Sequence, residues 1–176
     1  MKSKPEIRRA GAPDLGEIVR IEQACFGADA FSRRQLSYLI RLARGACLVA
    51  VVSGKIAGYI SLLARPRIAN LRIYSVAVAP QARGLGIGQT LLDSAVEYAR
   101  EQNAREISLE VSVANSAALA LYRKNGFAVV SRIPGYYHDG GDGWRMKRLL
   151  TPDTGKHRPA QRDADLSEET QTMSEK

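Results

Sequence analysis

Between residues 107 and 113 apolar and polar side chains alternate: Ile107, Leu109, Val111 and Val113 against Ser108, Glu110 and Ser112. Successive side chains on a strand point to opposite faces, so this period predicts a half-buried β-strand. Just upstream the period changes. Ile87, Leu91, Ala95 and Ala99 recur at every fourth position, the apolar stripe of a helix over about 86–102. Further strand-like runs lie at 6–10, 46–52, 55–64, 71–78, 127–133 and 144–150. Ser53-Gly54 joins two of them as a hairpin, and Pro66 breaks the connection after it. Leu15, Ile18, Val19, Ile21 and Cys25 predict a helix to about Phe26, with Pro13 suited to its first turn. Ser32-Arg33-Arg34-Gln35 has the capping-box spacing and opens a second helix to about Arg44. Asn115-Ser116 open another to about Lys124, and Asn125-Gly126 closes it.

The predicted order is β-α-α-β-β-β-α-β-α-β-β. It describes an α+β domain, or three-layer α/β domain, with a mixed sheet of about seven strands and helices on both faces. The early hairpin run argues against a doubly wound dinucleotide fold. Residues 1–150 form this one domain. Residues 151–176 are polar and aperiodic and read as a disordered tail.

Composition narrows the function classes. The net charge is +8. The tail carries four basic and six acidic residues, so the remaining chain holds 22 basic and 12 acidic, a net of +10. Such a domain attracts phosphate, whether on a cofactor, a ribosome or a nucleic acid. The arginines are scattered, aromatic residues make up only 6%, and no ribonucleoprotein-type motif is present, which argues against sequence-specific nucleic-acid reading. No apolar run reaches the roughly 20 residues of a membrane span, and no signal-peptide core follows Met1. Cys25 and Cys47 make neither a disulfide framework nor a metal site, and they fit a reducing cytoplasm.

The strongest chemical signal follows the strand at 71–78. Arg83-Gly84-Leu85-Gly86-Ile87-Gly88 leads into the 86–102 helix. Alternating glycines leave main-chain N–H groups uncovered where a helix start adds partial positive charge, which suits a pyrophosphate. A P-loop is excluded because the Gly-Lys-Ser/Thr ending is missing. A dinucleotide fingerprint is excluded because the third glycine would fall at Leu91.

Val76-Ala77-Val78-Ala79-Pro80 running into these glycines resembles the acetyl-coenzyme A signature of GNAT-type N-acetyltransferases. Leu109-Glu110-Val111, Asn115-Ser116-Ala117-Ala118-Leu119-Ala120-Leu121-Tyr122 and Asn125-Gly126-Phe127 resemble the second half of that family, most of all its ribosomal-protein alanine N-acetyltransferase branch. The resemblance spans roughly Ile7 to Leu149 and implies the GNAT acyltransferase fold. It implies acetyl-coenzyme A held by Val76, Ala77, Val78, Arg83, Gly84, Leu85, Gly86, Ile87, Gly88, Gln89 and Asn115. It implies Glu110 as the base, working directly or through water, and Tyr122 as the acid toward the departing sulfur. Tyr136 and Tyr137 resemble the tyrosine pair that borders the peptide site. Trp144 and Tyr74-Ser75 depart from the branch and bear on the acceptor.

Each of these residues has a plainer reading that composition and spacing leave open. Glu110 could be an outward carboxylate on a half-exposed strand, and Tyr122 a packed helix tyrosine. Asn115 could be a helix cap, and the tyrosine pair part of a solvent-edge turn. The acceptor implied is a protein or peptide amine, foremost an N-terminal α-amine and conceivably on a ribosomal protein. A lysine, a small amine, or a non-catalytic ribosome-binding role are the alternatives. A monomer or a homodimer is expected, without a metal.

Overall fold

A computed structural model describes residues 4–41, 44–65 and 69–150 of the chain. Pro66 and the 151–176 tail lie outside them. The strands are β1 Glu6–Arg9, β2 Gly45–Val52, β3 Lys55–Arg65, β4 Asn70–Val78, β5 Glu106–Ser112, β6 Ala128–Ile133 and β7 Gly143–Leu149. The helices are α1 Leu15–Phe26, α2 Arg33–Arg41, α3 Ile87–Glu101 and α4 Ser116–Lys124. The element order is the one the sequence patterns predict. α2 is described to Arg41, the two residues before its expected end at Arg44 lying outside the described residues, and Pro13 sits in a short turn of 3-10 helix before α1.

Local chemistry explains the boundaries. Ser32 and Gln35 close the expected capping box: Gln35 N–H donates to Ser32 Oγ at 3.3 Å and Ser32 N–H to Gln35 Oε1 at 2.9 Å. Ser53 and Gly54 both take positive φ, the geometry of the hairpin turn that matches strand twist. Asn115 caps α4, accepting the Ala118 N–H at 3.1 Å.

The seven strands form one sheet in the order β1-β2-β3-β4-β5-β7-β6. All neighbours are antiparallel except β4 and β5. That parallel pair comes from the β4-α3-β5 crossover, in which α3 must cover the sheet. Its buried stripe is Ile87, Leu91, Leu92, Ala95, Val96 and Ala99. Gly58 on β3 is what admits the helix. A Cβ there would stand 2.8 Å from the Ala77 carbonyl oxygen and 3.2 Å from both Ile87 Cγ2 and Leu91 Cδ1.

Candidate active site

Two features of β4 build the site. Its pairing with β5 covers only Asn70–Arg72 against Glu106–Ser108, after which the two strands part. It also carries a bulge: Ser61 faces Ser75 and Leu62 faces Ile73, so Tyr74 has no partner on β3. A bulge bends its strand and re-aims side chains. The edge of β4 from Ile73 to Val78 therefore has no strand partner on the β5 side, leaving a cleft between the two strands that leads toward the glycine turn.

That turn is main chain presented to solvent. Gly84 and Gly86 have φ of +76° and +75°, and no atom lies within 4 Å of where either Cβ would stand. Conformation requires these glycines, rather than crowding: a left-handed residue with a Cβ costs roughly 1–2 kcal/mol. Gly88 differs, sitting in the first turn of α3 with Leu121 Cδ2 and Val78 Cγ2 at 3.6 and 3.8 Å from its would-be Cβ. The first bond of α3 is Thr90 N–H to the Gly86 carbonyl at 3.1 Å. Among the described residues nothing accepts the N–H groups of residues 84–89. Orphan donors in a row at a helix start are what a pyrophosphate would satisfy.

Neighbouring side chains frame the turn. Arg83 Nη2 reaches Cys25 Sγ at 3.7 Å, and that thiol donates to the Val78 carbonyl at 3.3 Å. Gln89 ties α3 to α4, donating to Asn125 Oδ1 at 2.7 Å and accepting from Asn125 Nδ2 at 3.0 Å. The β4 end, the turn and α4 are thus brought together. Asn115 is at the other end of α4, where its side chain is the cap already described.

Glu110 lies on β5 with its side chain only 5% exposed. The alternation over 107–113 shows it as the carboxylate of that run, and the structure adds two cationic partners. Arg72 holds its Oε2 with Nε at 2.9 Å and Nη2 at 2.8 Å, and Arg145 holds its Oε1 with Nε at 3.1 Å. Both arginines come from neighbouring strands. Arg145 stands directly opposite on β7, and Arg72 reaches across from β4. Neither was expected, because pairs 38 and 35 residues apart leave no local signal.

Arg72 also joins the tyrosines. Its guanidinium lies 4.5 Å from the centre of the Tyr74 ring, and its Nη2 donates to Tyr136 Oη at 3.3 Å. Tyr136 and Tyr137 meet edge to face at 5.1 Å. Burial raises both phenols above the ordinary tyrosine range. For Tyr137 burial is the main cause, and the nearby Tyr136, Tyr122, Glu110 and Asp29 add to the rise.

Tyr122 packs into the core, 5% exposed, with its ring 5.8 Å from that of Phe127. Burial pushes its phenol far above the ordinary range. Its hydroxyl has no partner among the described residues, yet no fully buried side-chain oxygen there lacks one. The ring is therefore enclosed while the hydroxyl is not wholly so. Trp144 stands opposite Val111 on β7, with the Arg132 guanidinium 5.4 Å from its ring. Alternation puts it on the other face from Glu110.

Sequence reading also missed Glu22, which is 1% exposed. Its Oε2 accepts hydrogen bonds from Tyr59 and, at 3.0 Å, from Ser75 Oγ; its Oε1 accepts the Phe31 N–H at 3.0 Å. Burial outweighs these bonds and raises its pKa. A signal existed, since Glu22 falls inside the apolar stripe of α1 formed by Ile18, Ile21 and Cys25.

Known proteins match this geometry. Residues 15–127 match the Acetyltransferase (GNAT) family, and the chain belongs to it. The chain is similar to an N-alpha-acetyltransferase of Sulfurisphaera tokodaii, 34% identical over 82% of this chain and 92% of that protein. Among solved structures it resembles the ribosomal-protein-alanine N-acetyltransferase of Brucella melitensis, with a TM-score of 0.71, 28% identity and 82% and 99% of the two chains covered. It also resembles a chain of the NatC complex bound to Gag peptide and CoA, with a TM-score of 0.74, 25% identity and 85% and 100% covered. The seven-stranded sheet with four helices is the GNAT fold. Among the described residues no helix is long and apolar enough to cross a membrane, and no side-chain cluster could hold a metal ion.

Proposed function

We propose that this protein transfers an acetyl group from acetyl-coenzyme A to the N-terminal α-amine of a protein or peptide. The observation that carries this reading is the run of unclaimed N–H groups at 84–89 beside the free edge of β4. In this reading those amides and Arg83 hold the pyrophosphate, and Val76, Ala77 and Val78 align the pantetheine arm much as an added strand would be aligned. Asn115 adds a polar contact from its uncommitted amide nitrogen. Bound acetyl-coenzyme A supplies the activated thioester.

The chain's own residues supply the proton chemistry. Glu110 receives the acceptor's proton, and because guanidinium groups occupy both of its oxygens, water relays that proton. Tyr122 keeps its proton throughout the working pH range and offers it to the departing sulfur. Tyr136 and Tyr137 wall the acceptor's path. An N-terminus is the easier acceptor. At pH 7 its deprotonation costs about 1.4 kcal/mol, against about 4.6 kcal/mol for a lysine. The names of the relatives point the same way. Two free thiols, Cys25 and Cys47, fit a reducing cytoplasm as the place of action.

A thiol-release assay over a peptide library tests the reading. Turnover on free N-termini, abolished by blocking the α-amine, is the expected result. Turnover only on lysine side chains or on polyamines would overturn it.

A further inference from the structure

Among the described residues Glu22 is the one buried carboxylate that the proposed chemistry does not use, and its bonds do not end in the core. Its partners come from three places: Phe31 in the loop between α1 and α2, Tyr59 on β3 and Ser75 on β4. The two hydroxyls also touch, with Tyr59 Oη 3.0 Å from Ser75 Oγ, and the Ser75 N–H donates to Ser61 Oγ at 3.1 Å. A carboxylate is costly to bury, and such a network is specified only when every member is satisfied. Here every member is.

The network leads outward by contact. Phe31, fixed by its N–H, sets its ring 6.2 Å from that of Tyr74, the bulge residue of β4. Tyr74 supports the Arg72 guanidinium at 4.5 Å, and Arg72 holds both Glu110 and Tyr136. The same loop touches the far wall of the site, where the His138 N–H donates to Asp29 Oδ1 at 2.7 Å. A continuous path therefore joins the core of α1 to the base and to the tyrosine wall.

We infer that Glu22 is a positioning residue for acceptor use: by holding Phe31 it sets the Tyr74–Arg72 stack that aims Glu110 and Tyr136. This rests on the acetyltransferase reading above. It predicts a defect on the acceptor side alone, because the amides at 84–89 lie apart from this path, in the turn after β4 and the first turn of α3.

The test is a double-mutant cycle on the full chain, read as kcat and peptide KM, with acetyl-coenzyme A affinity measured separately by calorimetry. Glu22→Gln is close in shape and keeps an acceptor for Phe31 N–H, but it places an amide NH2 against the two hydroxyls. It should lower kcat/KM for peptide by about 10–100-fold, since misplacement on the ångström scale has effects of that order. Acetyl-coenzyme A affinity should stay within about twofold. Phe31→Ala, which leaves the carboxylate network intact, should reproduce the defect, and the double variant should be no worse than either single one. Glu22→Asp, which keeps the charge, should recover part of the loss.

Wild-type kcat/KM in Glu22→Gln, or fully additive effects in the double variant, would overturn the inference. So would an equal loss of cofactor affinity, which is the mark of general unfolding. If Glu22→Gln does not fold, Phe31→Ala decides alone: unchanged peptide kinetics would sink the proposal. A wild-type protein that binds acetyl-coenzyme A but acetylates no peptide would instead refute the function proposed above.

Discussion

The two halves of the cleft are made of different material. The half assigned to the cofactor is main chain: N–H groups at 84–89 and the free edge of β4, with little side-chain cover. The half assigned to the acceptor is charged and polar side chains: Glu110 between two guanidiniums, two tyrosines meeting edge to face and the Tyr122 phenol. A main-chain cradle works for any carrier with the same diphosphate, and its donors cannot be lost by changing a side chain. A site of paired charges depends on each partner, so it can be retuned for one acceptor by single substitutions. On the proposed assignment the difference locates specificity: the turn would decide that a nucleotide-borne acyl group is used, and the β4–β5–β7 face would decide what receives it.

Substitutions that affect one half without the other probe this division. The largest effect belongs to Glu110→Gln. It should lower kcat/KM by about 10²–10⁴, with acetyl-coenzyme A affinity unchanged. It also leaves Arg72 with a weaker partner in a buried place. Breaking a buried pair by removing a partner costs about 3–5 kcal/mol, so thermal melts must accompany the kinetics. A melt shift with full turnover would reduce Glu110 to an anchor for the arginines.

Next comes Gly86→Glu on the other half. It should weaken acetyl-coenzyme A binding by about 10² by calorimetry, through like charge and lost dipole contacts, and strain the left-handed turn by roughly 1–2 kcal/mol. Undiminished binding would mean that the phosphates are held elsewhere. Tyr122→Phe should slow kcat by about tenfold in steady-state assays, below the usual ~10²–10⁴-fold of acid catalysis because a thiolate already leaves readily. Wild-type kinetics would return Tyr122 to packing.

The smallest effect is one of stability. Burial raises the Glu22 pKa above its ordinary 4.5, so the folded state favours the protonated form. Its contribution is fully present below the unfolded value and is lost as pH rises through the folded one. Denaturant melts should therefore show the stability of wild type falling, relative to Glu22→Gln, as pH is raised from about 4.5 toward neutrality. A difference independent of pH would contradict the buried carboxylate described here.

What could be read from the chain follows the same division. Element order, the capping box, the hairpin and the α4 boundaries were legible because each rests on residues within a turn or two of one another. The glycine turn was legible too, since its chemistry is local, although the reason for Gly84 and Gly86 is their left-handed backbone. The acceptor half was only partly legible. Glu110, Tyr122, Tyr136 and Tyr137 could be named from family likeness, but the guanidiniums around Glu110 come from other strands. That arrangement exists only once β4, β5 and β7 have paired. Glu22 was visible as a charge on an apolar helical stripe, but nothing local showed that Tyr59 and Ser75 would satisfy it.

The central claim is that the amides at 84–89 hold the cofactor's diphosphate, and isotope-labelled protein tests it most directly. On titration with coenzyme A, the amide signals of Gly84, Leu85, Gly86, Ile87, Gly88 and Gln89 should show the largest shifts in the spectrum. Saturable binding that leaves those six signals in place would contradict it.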